Sequence, residues 1–315
     1  MIPLTIYWSP DFVNHKVSAG HPESSSRLLA IQELLVERGQ WEAFHKIEAR
    51  AATPDEIALI HPLEYIQRVE HMTRRGPTLL DSADTEVSPG SFLAARKVVG
   101  AGIQAVDDVL SNRSQTAFIL GRPPGHHARP AMAMGFCLFA NVALAASYAH
   151  QAHQVERVAI IDWDVHHGNG TQEIFFRTDR VYYISTHEFP LYPGTGRLDE
   201  KGVGPGRGYT LNFPLAAGKS DGDFLDIIEG PVTEALMAYR PELILISAGF
   251  DAHEYDPLGH MNITAEGYER MTQVVSRLAG DLSQGRIISF LEGGYHLAAL
   301  AESVSRHLAA LAQGS

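Results

Sequence analysis

In VAIIDWDVHHGNG, residues 158–170, an apolar β-branched run breaks abruptly into acids and histidines. The run has no polar alternation, which is what a strand covered on both faces by helices requires. Two further runs have the same character, LILIS at 243–247 and IISFL at 287–291. Outward from these, candidate strands lie at 4–8, 116–120, 158–162, 181–186, 243–248 and 287–291. Amphipathic stretches that read as helices lie at 24–38, 92–110, 138–151, 223–239, 265–279 and 297–312. This alternation predicts an α/β fold: a single domain over 1–315, with a central parallel β-sheet and helices on both faces. No repeat or linker-like tract divides the chain. GVGPGRG at 202–208 reads as a loop between two strands.

Composition narrows the function. The 315 residues carry 25 Lys+Arg against 37 Asp+Glu, a formal charge of −12. That balance argues against a nucleic-acid surface, which needs a basic stripe to displace counterions. It suits a cationic substrate better. Cys137 is the only cysteine, so neither an intrachain disulfide nor a cysteine metal cluster is expected. The apolar runs are too short to span a bilayer. The opening MIPLTIYWSP lacks a basic stretch followed by an apolar one, and the chain is read as a cytoplasmic protein.

In open α/β sheets ligands bind beyond the carboxyl ends of the strands. Here four strand ends run into polar sequence: Arg122-Pro-Pro-Gly-His126-His127, Asp162-Trp-Asp164-Val-His166-His167-Gly-Asn169, Gly249-Phe-Asp251 and Glu292-Gly-Gly-Tyr295. In an extended strand residues two apart share a side. Asp164 and His166 can then present a carboxylate and an imidazole together, with Asp162 one step deeper. A third ligand from Asp251 makes a three-ligand metal site with an open position. Taken singly, each motif also reads as solvated loop polars or helix caps.

His126 and His127 are candidate general bases, with Asp162 and Asn169 as partners that set their tautomers. The same pair, taken alone, reads as surface loop histidines. Tyr295 follows two glycines, and its phenol is either a donor to a developing oxyanion or a packing residue. Phe136, in Gly135-Phe136-Cys137, and Tyr192, in Leu191-Tyr192-Pro-Gly-Thr-Gly, are either walls of a narrow apolar tube or core.

RPPGHHA, GFCLFAN, DWDVHHGNGTQ, YPGTG, SAGFDAH and LEGGY occur in this order. The ordered set resembles the histone deacetylase family of the arginase/deacetylase superfamily, over nearly the whole chain. The details are closest to the class II type and its bacterial relatives, with Asn169 where class I members carry aspartate. The resemblance implies the arginase/deacetylase fold and one zinc ion held by Asp164, His166 and Asp251. It makes His127, supported by Asn169, the general base and acid. His126, paired with Asp162, becomes the electrostatic partner, and Tyr295 polarises the substrate carbonyl. Phe136 and Tyr192 match the aromatics of the acyl-lysine tunnel, with Tyr in place of the usual Phe. Leu258, in Asp256-Pro-Leu258-Gly, matches a rim position. Asp84 falls where a rim carboxylate orients the substrate, and Arg27 where an arginine lies near an inner acetate channel. Structural potassium is implied at Asp162, Asp164, His166, Ser185 and Thr186. A second potassium site matches Phe175, Thr178, Val181 and Tyr209.

The activity so implied is zinc-dependent hydrolysis of a linear acyl amide, with acetyl-lysine in a protein or peptide as the foremost substrate. The alternative is an acetylpolyamine amidohydrolase, whose acidic gate Leu258 does not supply. An arginase-like dimanganese enzyme would need a second metal motif. A silent acyl-lysine binding module would not need the complete catalytic set. The expected partners are an acylated lysine or small acylated amine, with no nucleic acid and no membrane. Oligomeric state is not specified by the sequence.

Overall fold

The computed structural model describes residues 2–314; Met1 and Ser315, included in the one-domain expectation, lie outside the described residues. The first part of the chain runs β1 (Ile2–Trp8), α1 (Ser26–Glu37), α2 (Gln40–Ala43), β2 (His45–Glu48), α3 (Pro54–Ile57) and α4 (Leu63–Arg74). Next come β3 (Thr78–Leu79), β4 (Glu86–Val87), α5 (Ser91–Leu110), β5 (Ser114–Ile119), α6 (Asn141–His153), β6 (Val158–Asp162) and α7 (Asn169–Phe175). The remainder is β7 (Val181–Glu188), β8 (Thr210–Leu215), α8 (Asp221–Ile227), α9 (Thr233–Tyr239), β9 (Leu243–Ala248), α10 (Ala265–Leu282), β10 (Ile287–Leu291) and α11 (Leu297–Gln313).

Eight strands form one sheet in the order β2-β1-β5-β10-β9-β6-β7-β8. Every pairing in it is parallel. β6, β9 and β10 are buried along their whole lengths, as their unalternated sequences require. Helices α1, α10 and α11 pack together, while α5 packs on α6 and on β5 and β10. The chain places β9 and β10 late, between β5 and β6. The four central strands are therefore those whose ends carry the polar motifs. Ile119, Phe290, Ser247, Asp162 and Ser185 are register partners across five adjacent strands, so the loops after them leave from one level. That shared level gathers the loops at one edge, where α/β sheets bind ligands.

The expected strands are present, with shifts of a residue or two at their ends. The edge strand β2 and the short β3 and β4 are additional, and β8 is the strand expected after the 202–208 loop. β2 is short and half-exposed, so it carries no apolar run to read. The expected helix at 223–239 is broken. α8 ends at Ile227, a wide turn covers Ile228–Val232, and α9 starts at Thr233. Pro231 lies inside that turn and cannot donate to the helix ladder. Thr233 Oγ1 donates to the Ile228 carbonyl at 2.7 Å instead. The helix expected from 138 begins at Asn141. Its first residues are engaged elsewhere: Tyr65 Oη donates to the Leu138 carbonyl at 2.6 Å, and Ala140 N to His61 Nε2 at 2.9 Å. α4 and α7 were not among the expected helices.

Candidate active site

β6 ends at Asp162, and the chain then bends through Asp164 and His166. His166 Nδ1 lies 3.1 Å from Asp164 Oδ1 and 3.1 Å from Asp251 Oδ2. The ligand atoms of the three residues all fall within 4.8 Å of one another. The outer carboxylate oxygens are tied down by backbone donors. Gly293 N donates to Asp164 Oδ2 at 2.8 Å and Val165 N to Asp251 Oδ1 at 2.9 Å. Asp164 Oδ1 also accepts from His166 N at 2.9 Å, and Asp251 Oδ2 is turned toward the His166 ring. A side chain at Gly293 would overlap Asp251 Oδ2, which is why this close approach takes glycine. Burial and the negative charge of Asp164 push the Asp251 carboxyl up to about 7. Two buried carboxylates and an imidazole converge here, and this O/N donor set is one that zinc accepts.

His126 and His127 approach from the loop after β5, their rings 4.0 Å apart. His126 Nδ1 donates to Asp162 Oδ2 at 3.1 Å, and Tyr183 Oη donates to the same oxygen at 3.0 Å. Burial opposes a charge on His126, yet the Asp164 and Asp162 carboxylates outweigh it and push its pKa up to about 10. His127 goes the other way. Burial, with the positive charges of His126 and His166, holds it well below the usual histidine range. Its Nδ1 donates to Asn169 Oδ1 at 2.9 Å, leaving Nε2 with a free lone pair.

A cavity of about 300 Å³ opens onto this cluster, lined by Asp84, His127, Gly135, Phe136, His166, Leu191, Tyr192, Leu258 and Tyr295. Leu191 had not been singled out in the sequence; it sits beside Tyr192 but carries no polar or aromatic signal. Gly135 has φ +56, and a Cβ there would overlap the His127 ring. Asp84 stands on the turn of the small β3–β4 ribbon and accepts from Gly135 N at 3.2 Å. Burial raises its carboxyl, but hydrogen bonds from Ser82, Thr85, Tyr192 and Gly135 prevail and hold it below the usual range. Burial, with the Asp251 charge, keeps the Tyr295 phenol protonated.

Arg27 is outside the cavity, fully buried behind Tyr295, with its guanidinium 5.1 Å from that ring. It donates to the Gly294 carbonyl at 2.7 Å, to the Glu292 carbonyl, and to Glu23 Oε1 at 3.0 Å. Arg122 binds the same Glu23 from the opposite side, at 2.6 Å and 2.7 Å. Glu292 Oε2 accepts from Gly125 N at 2.7 Å and from His126 N at 3.2 Å, bracing the histidine turn. None of Glu23, Arg122 and Glu292 had been assigned a role from the sequence, although all three stand beside the motifs.

Ser185 is the register partner of Asp162 across β6 and β7, and Thr186 follows it, buried. Phe175, Thr178, Val181 and Tyr209 lie at the other end of β7. There the Phe175 carbonyl accepts from Thr178 N at 3.2 Å and the Tyr209 carbonyl from Tyr183 N at 3.0 Å.

Comparison with known proteins gives the same grouping. Residues 21–311 match the histone deacetylase domain. The chain is 39% identical over 285 residues to the histone deacetylase-like amidohydrolase of Pseudomonas aeruginosa, covering 90% of this chain and 75% of that one. It is 38% identical over 293 residues to the polyamine deacetylase HDAC10 of Homo sapiens, covering 90% of this chain and 43% of that protein. The crystal structure of the HDA15 HD domain superposes with a TM-score of 0.93 at 38% identity, over 98% of this chain and 88% of that one. The chain belongs to the histone deacetylase family of amidohydrolases.

Proposed function

We propose that this amidohydrolase is zinc-dependent and removes the acetyl group from acetyl-lysine in proteins or peptides. The observation that carries the reading is the convergence of Asp164 Oδ1, His166 Nδ1 and Asp251 Oδ2 beneath a narrow cavity that also holds His127 and Tyr295. One zinc ion at those three residues would act as Lewis acid toward the acyl carbonyl and lower the pKa of the attacking water.

The protein's own groups then divide the work. Phe136 and Tyr192 flank the extended acyl-lysine chain, and Leu258 and Asp84 meet it at the rim. His127 Nε2 takes a proton from the water as its oxygen adds to the carbonyl carbon. The Tyr295 phenol donates to the carbonyl oxygen as negative charge develops on it. The protonated His127 gives its proton to the amine nitrogen as the C–N bond breaks, leaving a free amine and acetate. His126, hydrogen-bonded to Asp162 and packed beside His127, acts as its electrostatic partner. Asn169 holds the His127 tautomer throughout.

Potassium fits two places as a structural ion. The Asp162, Asp164, His166, Ser185 and Thr186 segment brings oxygens of adjacent strand ends together. At Phe175, Thr178, Val181 and Tyr209, the carbonyls engaged by backbone donors each keep a second lone pair.

Acetylpolyamine is the second reading, supported by the charged Asp84 at the rim and by the name of the human relative. Leu258 favours the peptide, because it adds no second acid to hold a polyammonium chain. The test is release of free amine from an acetyl-lysine peptide and from acetylputrescine, with and without a zinc chelator. Chelator-sensitive turnover of the peptide alone supports the proposal. Turnover of the polyamine alone replaces the substrate, and turnover indifferent to chelation overturns the zinc assignment.

A further inference from the structure

Tyr295 has its phenol in the cavity, and among the described residues no hydrogen bond anchors that phenol. The ring is therefore placed by its backbone and by packing. Its carboxyl-side neighbour His296 begins α11, with Nδ1 accepting from Ala299 N at 3.2 Å. Both residues present backbone N–H groups that no helix bond satisfies. One carboxylate meets them. Asp256 Oδ2 accepts from Tyr295 N at 2.6 Å and from His296 N at 3.3 Å.

The other oxygen of the same carboxylate holds a second lining residue. Asp256 Oδ1 accepts from Leu258 N at 3.0 Å, and Leu258 lines the cavity. Asp256 is itself buried, 7% exposed, and its own N donates to the His253 carbonyl at 2.9 Å. Both oxygens are acceptors, and of the three residues they hold, Tyr295 and Leu258 line the cavity from different loops. Arg27 holds the preceding Gly294 carbonyl, so the main chain on either side of Tyr295 is gripped by an ionic side chain.

We propose that Asp256 is a positioning residue for Tyr295: one carboxylate fixes the backbone beneath the phenol and sets its distance from the Leu258 rim. The inference rests on the role given to Tyr295 above. Asp256→Asn is nearly isosteric, but it replaces one acceptor oxygen with an NH₂ that opposes a backbone N–H. If that variant does not fold, Asp256→Ser keeps a small acceptor and serves in its place.

The expected result for Asp256→Asn is a fall in kcat of about 10-fold or more, KM within about twofold, and unchanged zinc content. In a Tyr295→Phe background the same change should cost less than about twofold, because the group it positions is already gone. Hydrogen exchange at the Tyr295 and His296 amides should accelerate relative to the wild type. A full multiplicative loss in the Tyr295→Phe background would indicate a general structural role and overturn the proposal. Unchanged exchange at those two amides overturns it as well. If the wild type hydrolyses neither acyl substrate, the functional reading fails. The exchange measurement then still decides whether Asp256 anchors this backbone.

Discussion

At the scale of single residues, the site depends on two adjacent histidines being driven in opposite directions. Asp162 and Asp164 face His126 and favour its charge; Asn169 faces His127 and supplies only a neutral acceptor. The downstream motif suggested Asp162 and Asn169 as their partners, but the opposite directions come from burial and from the carboxylates beside His126 that His127 lacks as hydrogen-bond partners. Tyr295 can be tested by subtraction. Tyr295→Phe should keep its bound zinc while kcat on an acetyl-lysine peptide falls by about 10²-fold or more, the scale of a single oxyanion donor. Metal analysis beside the rate separates this outcome from loss of the metal, and full activity would remove the role. Gly135 offers a second test. Gly135→Ala forces a side chain at φ +56 into the His127 ring, so we expect about 1–3 kcal/mol of lost stability and a sharp fall in kcat. Denaturant unfolding read alongside the rate would check both.

At the scale of elements, the loops after the strands bring the site together, and buried histidines other than His126 and His127 hold several of them. His167 Nδ1 contacts Thr195 Oγ1 at 2.7 Å, and His187 Nε2 donates to the Gly196 carbonyl at 2.9 Å. The loop bearing Tyr192 is thereby tied to the residue after His166. His61 does similar work at the start of α6. Its Nδ1 donates to the Pro130 carbonyl at 2.9 Å while Nε2 accepts from Ala140 N, so only the neutral ring satisfies both. Replacing His61 by Leu should leave the Ala140 N–H and the Pro130 carbonyl unpaired and cost about 1–3 kcal/mol, read as a lower denaturant midpoint. The His61 anchor was not legible in sequence, because a lone histidine in a loop has no periodic or motif signal; His167 stood inside the motif, but its partner Thr195 is 28 residues away.

At the scale of the whole molecule, buried neutral histidines make the fold sensitive to acid. Burial lowers His61 to about 4 and His307 to about 3. Above pH 6.5 folded and unfolded chains both hold these rings neutral, and the contribution is complete. As pH falls below 6.5, the unfolded chain binds protons that the folded one refuses, so stability declines until the folded values near 4 and 3 are reached. Each ring contributes a slope of up to about 1.4 kcal/mol per pH unit in that window. His307→Gln, which can still meet Thr272 and Ser289, should show a shallower decline between pH 6.5 and 4 in thermal or denaturant melts. Removal of metal acts on the same balance. On the zinc reading proposed above, chelation should lower Tm, because a ligand that binds only the folded state is withdrawn. An unchanged Tm on verified metal loss would sink that expectation.

The sequence by itself determined the parallel sheet and the edge where chemistry gathers. Unalternated runs such as 158–162 and 243–248 can exist only with both faces covered, and polar residues immediately after them must leave at the strand ends. It also determined the candidate ligands Asp164, His166 and Asp251, because their residue types and motif order are written locally. The breaks in helices, the edge strand β2, and the second rank of buried groups behind the site were settled only by tertiary structure. Asp256 carries its three backbone contacts from 39 and 40 residues away as well as from its own turn. Glu23 meets Arg122 across 99 positions, and Arg27 reaches Gly294 across 267. Such pairings depend on which unsatisfied backbone group or charge the packed chain brings within hydrogen-bond reach. That is a property of the packed core, with no local pattern along the chain to announce it.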